Sequence, residues 1–262
     1  MITRELGEII LALSRKLPVS VITGPRQSGK TTLAKMLFPD YDYFNLEFPD
    51  SRAKATDDPR LFLSNYRKGI IIDEVQRVPE LFSYIQGIVD ETGELGKYIL
   101  TGSQNFLISE QISQSLAGRA AQFNLLPFSI SEISSGFPVA DNFAELAFKG
   151  TYPRIYDHQL MPTDWYPWYI GSYVERDVRM IENVKDLNKF QIFLKICAGR
   201  VGQIFNASAI ANEIGVNFKT VQSWLSILET SFIIFLLQPY YKNFNKRLIK
   251  SPKIYFYDTG LI

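Results

Sequence analysis

The stretch Gly24-Pro25-Arg26-Gln27-Ser28-Gly29-Lys30-Thr31 constrains this chain more than any other. It follows a short apolar run, Val19-Ser20-Val21-Ile22-Thr23, and precedes a segment of helical character, Thr32 to Phe38. It fits the pattern G-x-x-x-x-G-K-[ST] in the strand-to-helix setting that the pattern needs. The reason is electrostatic. A polyphosphate needs many donors, and a loop presents successive backbone N–H groups only where side chains do not block the approach. Gly24 and Gly29 leave that path open. A helix beginning near Lys30 turns the positive end of its dipole to the same point. Lys30 can then reach β- and γ-phosphates, and the Thr31 hydroxyl can take a magnesium coordination position. Gly24 to Thr32 form the expected phosphate-binding set.

The surrounding pattern extends that reading. Apolar residues Ile2, Leu6, Ile9, Ile10, Leu13 and Leu17 have helical spacing, so an amphipathic helix from 2 to 17 leads into the first strand. Tyr41 to Leu46 reads as a second strand, and Asp58-Pro59 starts a helix. Ile70-Ile71-Ile72-Asp73-Glu74 is a β-branched run ending in two acids, the mark of a strand buried on both faces of a parallel sheet. A helix opens at Pro79. Lys97 to Thr101 reads as a fourth strand ending in Gly102-Ser103-Gln104, a helix spans roughly 109 to 117, and Ala121 to Leu126 reads as a fifth strand. Alternating strands and helices imply a parallel sheet with right-handed crossovers.

Asp73 is the expected metal ligand with Thr31, and Glu74 the group that polarises the water attacking a γ-phosphate. Ser103 and Gln104 lie beyond the fourth strand. If that strand runs between those bearing Lys30 and Asp73, a polar group there meets the γ-phosphate or the water. Arg119 ends the following helix, a place where a cation suits the helix dipole in any case. Its functional reading is an arginine finger reaching the nucleotide of a neighbouring subunit.

Residues 128–200 have mainly helical periodicity with many aromatics, among them Trp165, Trp168 and Tyr169, and are expected to form a helical lid. From Ala207 a third unit begins. Ala207 to Ile214, the turn Gly215-Val216-Asn217, and Thr220 to Leu228 have the form of a helix-turn-helix. The strands expected at 233–237 and 253–257 suggest a winged variant. The division is therefore 1–127, 128–200 and 201–262.

Lys plus Arg is 28 and Asp plus Glu is 27, so no global charge draws the chain to nucleic acid. A DNA surface must be a local patch. Lys242, Lys246, Arg247, Lys250 and Lys253 cluster with Tyr240, Tyr241 and Phe244 and without an acid between Thr230 and Tyr257. On a wing they meet phosphates, while Asn217, Lys219, Thr220 and Gln222 face a groove. The alternative is a solvated face on a unit that packs against another subunit. The single cysteine, Cys197, excludes an internal disulfide and a cysteine-built zinc site, and its apolar setting suggests a buried thiol. The single histidine, His158, excludes multi-histidine metal sites. No apolar run reaches about 18 residues and no signal peptide opens the chain, so the expectation is a cytoplasmic protein without membrane contact.

Gly24–Thr31, Ile70–Glu74, Thr101-Gly102-Ser103-Gln104 and Arg119 resemble, in order, the Walker A, Walker B, sensor 1 and arginine-finger elements of the AAA-type ATPase core. The strings Asp73 to Pro79, Tyr173 to Val178, Gly199 to Gln203 and Lys253 to Leu261 are similar to those of a family of bacterial and archaeal AAA-type ATPases. The resemblance covers essentially the whole chain. It implies an α/β P-loop fold with a helical lid and winged helix, ATP and Mg2+ as ligands, ATP hydrolysis that drives a conformational change in a target, and a homo-oligomer completed in trans by Arg119. The alternative is a nucleotide-gated DNA-binding switch in which hydrolysis is incidental. Members of that family usually continue into a domain resembling restriction endonucleases, expected here to be absent or truncated. Arg154, Arg176, Arg179 and Arg200 are all candidates for a sensor 2 arginine.

Overall fold

A computed structural model describes residues 2–103, 105–138, 142–174, 186–240 and 251–262. Its contacts divide the chain into two compact units, Met1–Gly136 and Phe137–Ile262.

The first unit is built on β1 (Val19–Thr23), β2 (Asp42–Asn45), β3 (Ile70–Asp73), β4 (Tyr98–Gly102) and β5 (Ala120–Asn124). They form one parallel sheet in the order β2-β3-β4-β1-β5. Successive side chains on a strand point to opposite faces, and both faces are covered. Val19, Val21, Ile70, Ile72, Tyr98 and Leu100 join one core with Phe62, Leu81, Phe82 and Ile85. Ile22, Ile71 and Ile99 join the other with Ile10, Leu33, Ala34 and Phe123. Burial on both faces is why β3 reads as an unbroken apolar run, Ile70-Ile71-Ile72, rather than an alternating one.

The helices of this unit are α1 (Leu6–Ser14), α2 (Lys30–Leu37), α3 (Pro49–Asp57), α4 (Pro59–Ser64), α5 (Glu80–Thr92), α6 (Asn105–Ser115) and α7 (Ile130–Gly136). Asp58 caps α4 by accepting from the Leu61 N–H at 2.9 Å. The first helix starts at Leu6, not Ile2, because Arg4 is drawn into the interior (7% exposed) and its partners lie on other segments. The sixth starts at Asn105, four residues before the expected Ser109. The α3 helix, mostly polar and with one buried residue, Ala55, carries no apolar stripe and escaped the periodicity reading.

In the second unit the helix Leu187–Gly199 packs on the pair Ala207–Ile214 and Phe218–Thr230 through Phe190, Phe193 and Trp224. Gly215 caps the first of that pair in the left-handed conformation, φ +71°. Asn217 opens the second, its Oδ1 accepting from the Lys219 N–H at 2.8 Å. The strands β6 (Ile234–Leu237) and β7 (Lys253–Phe256) pair antiparallel. The residues between them that carry Tyr241, Lys242, Phe244, Lys246, Arg247 and Lys250 lie outside the described residues, as do Arg176, Arg179 and Gln104. Cys197 is buried, and burial pushes its thiol up to about 12.

Asp258 is the polar centre of this unit. It is 1% exposed and accepts from the Thr151 hydroxyl at 2.7 Å, the Tyr166 hydroxyl at 2.6 Å and the Gly260 N–H at 2.9 Å. Tyr166 sits in a cluster with Tyr152, Trp165 and Tyr169. Four donors around one carboxylate, the Thr151 N–H included, meet the requirement that a buried charge be hydrogen-bonded. No helix among the described residues is long and apolar enough to cross a membrane.

Candidate functional site

The loop after β1 turns at Gly24, whose φ is +148° and where an added Cβ would strike the Leu125 carbonyl oxygen. Glycine is required there on both counts. Gln27 also has a positive φ, +61°, and Gly29 (φ +92°) leads into α2. Lys30 is buried, and its Nζ donates to the carbonyls of Gly24 at 3.0 Å and Pro25 at 2.7 Å. One ammonium thus ties the start of the loop to the start of the helix. Pro25 thereby has a job that its side chain does not reveal. Thr31 is half-buried and Thr32 exposed on the first turn.

Strand β4 runs between β1 and β3. That adjacency places the carboxyl ends of all three strands together, where open parallel sheets bind ligands. Asp73, 6% exposed, lies at the end of β3. Its Oδ2 accepts from Thr31 Oγ1 at 2.9 Å and from the Tyr43 hydroxyl at 2.8 Å, while its Oδ1 accepts from Thr101 Oγ1. Both oxygens are therefore oriented before any ligand arrives. The Tyr43 hydroxyl is pushed well above its ordinary value, by burial first and then by Asp73 and Glu74, so it stays a donor. The Lys35 ammonium lies 3.4 Å from the centroid of the same ring.

Glu74 follows in the left-handed region, φ +56°, at the start of the short 3-10 turn Val75–Arg77. Its Oε2 accepts from Gln76 Nε2 and, more weakly at 3.4 Å, from Ser103 Oγ. Lys30, Thr31, Asp73, Glu74 and Ser103 thus gather at one end of the sheet.

Arg119 does not join them. Register pairs Val19 with Ala120, so Arg119 stands at the other end of β5 from the loop that follows Thr23. Its guanidinium makes a two-point pair with Asp90 on α5, at 2.6 Å and 2.8 Å, which holds the Asp90 carboxyl below its usual range. Of the other candidate arginines, Arg200 pairs with Glu213 and Arg154 is exposed.

Four contributors are not marked as site residues by the sequence. Tyr43, Thr101 and Gln76 touch the two acids. Arg4 reaches the loop from the chain start. Its guanidinium donates to the Ser28 carbonyl at 2.8 Å and to the Leu126 carbonyl at 2.6 Å, and its Nε lies 3.0 Å from Glu132 Oε2. Gln76 reaches Glu74 across a short turn, while the contacts of Tyr43, Thr101 and Arg4 join residues far apart in the chain.

A five-stranded parallel sheet in this order, with a glycine loop after its inner strand and paired acids two strands away, defines a P-loop nucleoside triphosphatase fold. Residues 16–134 match the AAA domain family, and residues 140–262 match a domain family of unknown function, DUF8612. An uncharacterized protein of Mycobacterium tuberculosis is 30% identical over 94% of this chain and 55% of its own length. One of Haemophilus influenzae is 25% identical over 93% of this chain and 68% of its own. A solved Walker-type ATPase of Pyrococcus abyssi superposes with a TM-score of 0.63 at 14% identity, over 100% of this chain and 95% of that one, a likeness of fold. Residues 16–134 thus carry a match to the AAA domain on a P-loop fold. The chain spans about half the length of its mycobacterial relative.

Proposed function

We propose that this protein hydrolyses ATP with Mg2+ and uses the cycle to change the conformation of a target. The observation that carries the reading is the 2.9 Å contact between Thr31 Oγ1 and Asp73 Oδ2, with Glu74 the next residue. A hydroxyl and a carboxylate are hard oxygen donors, so the pair fits Mg2+ and not a soft metal. The ion, when bound, offsets phosphate charge and orients the terminal phosphate.

The protein's own groups supply the rest. Backbone N–H groups of the loop 24–31 hold the phosphates, and the Lys30 ammonium is placed to turn from the loop carbonyls to a β- or γ-oxygen. Glu74 takes a proton from water as the water oxygen bonds to the γ-phosphorus. The bond to the β–γ bridging oxygen breaks, and ADP and phosphate leave. Ser103, next to the Glu74 carboxylate, and Gln104 after it would meet the γ-phosphate or the water. Glu74→Gln is expected to bind ATP and lose turnover. Normal hydrolysis by that variant would end the assignment. Lys30→Ala is expected to lose nucleotide binding.

Arg119 suits a role in a second copy's site, since its own loop lies at the far end of the sheet and its guanidinium is only partly covered. A homo-oligomer with the arginine acting in trans is the assembly this reading implies. The cytoplasm, where ATP is made and consumed, is the implied compartment.

The second reading is a nucleotide-gated DNA switch. It is favoured by the tight glycine turn between the helices Ala207–Ile214 and Phe218–Thr230, with Lys219 and Gln222 exposed just after it and the β6–β7 pair in the position of a wing. Asn217 is committed to capping its helix. Five basic contacts to phosphate would give a salt slope of roughly −4 to −5. Duplex binding that ignores both salt and nucleotide would remove this reading.

A further inference from the structure

Glu74 leaves β3 in a backbone conformation that L residues avoid, and something must hold it. The 3-10 turn that follows brings Gln76 back beside it. Gln76 is 8% exposed, and its Nε2 donates to Glu74 Oε2. Its Oε1 is buried with no hydrogen-bond partner among the described residues. That oxygen lies over Gly102, where an added Cβ would collide with it. Ser103, the next residue along the chain, touches the same Glu74 oxygen. The end of β4 therefore provides both a seat for the carboxamide and a second donor.

A buried amide oxygen without a partner is costly, and an apolar side chain of the same shape would avoid that cost. What an apolar side chain would not supply is the N–H. We propose that Gln76 is a positioning residue for the general base, holding the Glu74 carboxylate in the orientation used for hydrolysis, and that position 102 is glycine so that the carboxamide can sit there. This rests on the reading of Glu74 as the base. The amide is suited to the task by its neutrality. A carboxylate at position 76 would repel Glu74, and an ammonium would pair with it and draw it off its water. The reversed amide would set Oε1 against a carboxylate oxygen, so only one orientation is tolerable.

The test uses the full chain with Gln76→Met, Gln76→Ala, Gly102→Ala, the double variant Gln76→Ala/Gly102→Ala, and Glu74→Gln. Steady-state ATP turnover is measured with the affinity for a slowly hydrolysed ATP analogue. Gln76→Met is expected to lower kcat roughly ten- to a hundredfold while KM and analogue affinity stay put. Gly102→Ala should lower kcat in the parent by displacing the carboxamide, and should cost nothing further in the Gln76→Ala background, where no carboxamide remains to displace. That non-additivity also separates the effect from the Ile108 methyl group that shares the space. Unchanged or raised kcat in Gln76→Met overturns the proposal. So does an equal Gly102→Ala loss in both backgrounds, or a fall in analogue affinity that accounts for the loss of turnover. A dead Glu74→Gln with a fully active Gln76→Met sinks this inference alone, and an active Glu74→Gln sinks the base assignment with it.

Discussion

The Arg4 guanidinium donates to the Ser28 carbonyl at 2.8 Å, so the phosphate loop is held from outside by a residue near the start of the chain. The same group reaches the carbonyls of Leu126 and Pro127 and pairs with Glu132, and it lies 4.9 Å from the centroid of the Phe128 ring. Both charges of the pair are buried, at 7% and 5% exposed.

Arg4→Met is therefore expected to leave a buried carboxylate without its cation. The cost is about 3–5 kcal/mol of stability, read by urea unfolding. Glu132→Gln added to Arg4→Met should recover part of that loss, because the stranded charge is then removed. A double variant no better than Arg4→Met would mean that the ion pair is not what the guanidinium contributes. In either variant the loop loses an anchor, and affinity for an ATP analogue should fall.

Tyr43→Phe removes one of the two donors to Asp73 Oδ2 and little else. Outer hydrogen bonds to a metal ligand are worth roughly ten- to a hundredfold in metal affinity. The Mg2+ concentration for half-maximal turnover is expected to rise by about that much, with kcat at saturating Mg2+ close to the parent.

Equal amounts of Arg119→Ala and Glu74→Gln, each inactive alone, should regain turnover when mixed. Some mixed interfaces then pair an intact arginine with an intact carboxylate. No recovery at any mixing ratio would remove the role in trans, and full turnover by Arg119→Ala alone would leave Arg119 as a surface cation engaged with Asp90. Asp90→Asn should leave turnover near the parent value, since it frees the arginine without removing it.

Asp258 gives a pH prediction. Its carboxyl is raised above its ordinary value of 3.8, by burial first, against the opposing hydrogen bonds from Thr151, Tyr166 and Gly260. The folded state therefore holds this proton more tightly than the unfolded state. Its contribution to stability is complete below the unfolded value and is lost as pH rises through the folded one. Relative to Asp258→Asn, the parent should gain stability as pH is lowered toward 4. Parallel pH profiles for the two proteins would refute the assignment.

The phosphate loop, the two acids after β3 and the alternation of strands and helices were legible in the sequence because each rests on local physics. A glycine is needed where the backbone bends left, and a β-branched run is needed where a strand is buried on both faces. Lys30, Thr31, Asp73, Glu74 and Ser103 could be named in advance for that reason. The helix boundaries at Leu6 and Asn105 and the polar α3 were not legible, since contacts and not periodicity set them. Nor could spacing show that β4 separates β1 from β3, which is what brings Ser103 to Glu74. Only the tertiary structure decided that Asp73 is oriented by Tyr43 and Thr101, that Glu74 is held by Gln76 over Gly102, and that Arg4 anchors the loop at Ser28. Each of those pairs joins separate segments or depends on a turn, and their hydrogen bonds exist only once packing has excluded water from the groups that make them. The sequence by itself determined a site able to hold a nucleoside triphosphate, and the fold determined which neighbours hold that site in place.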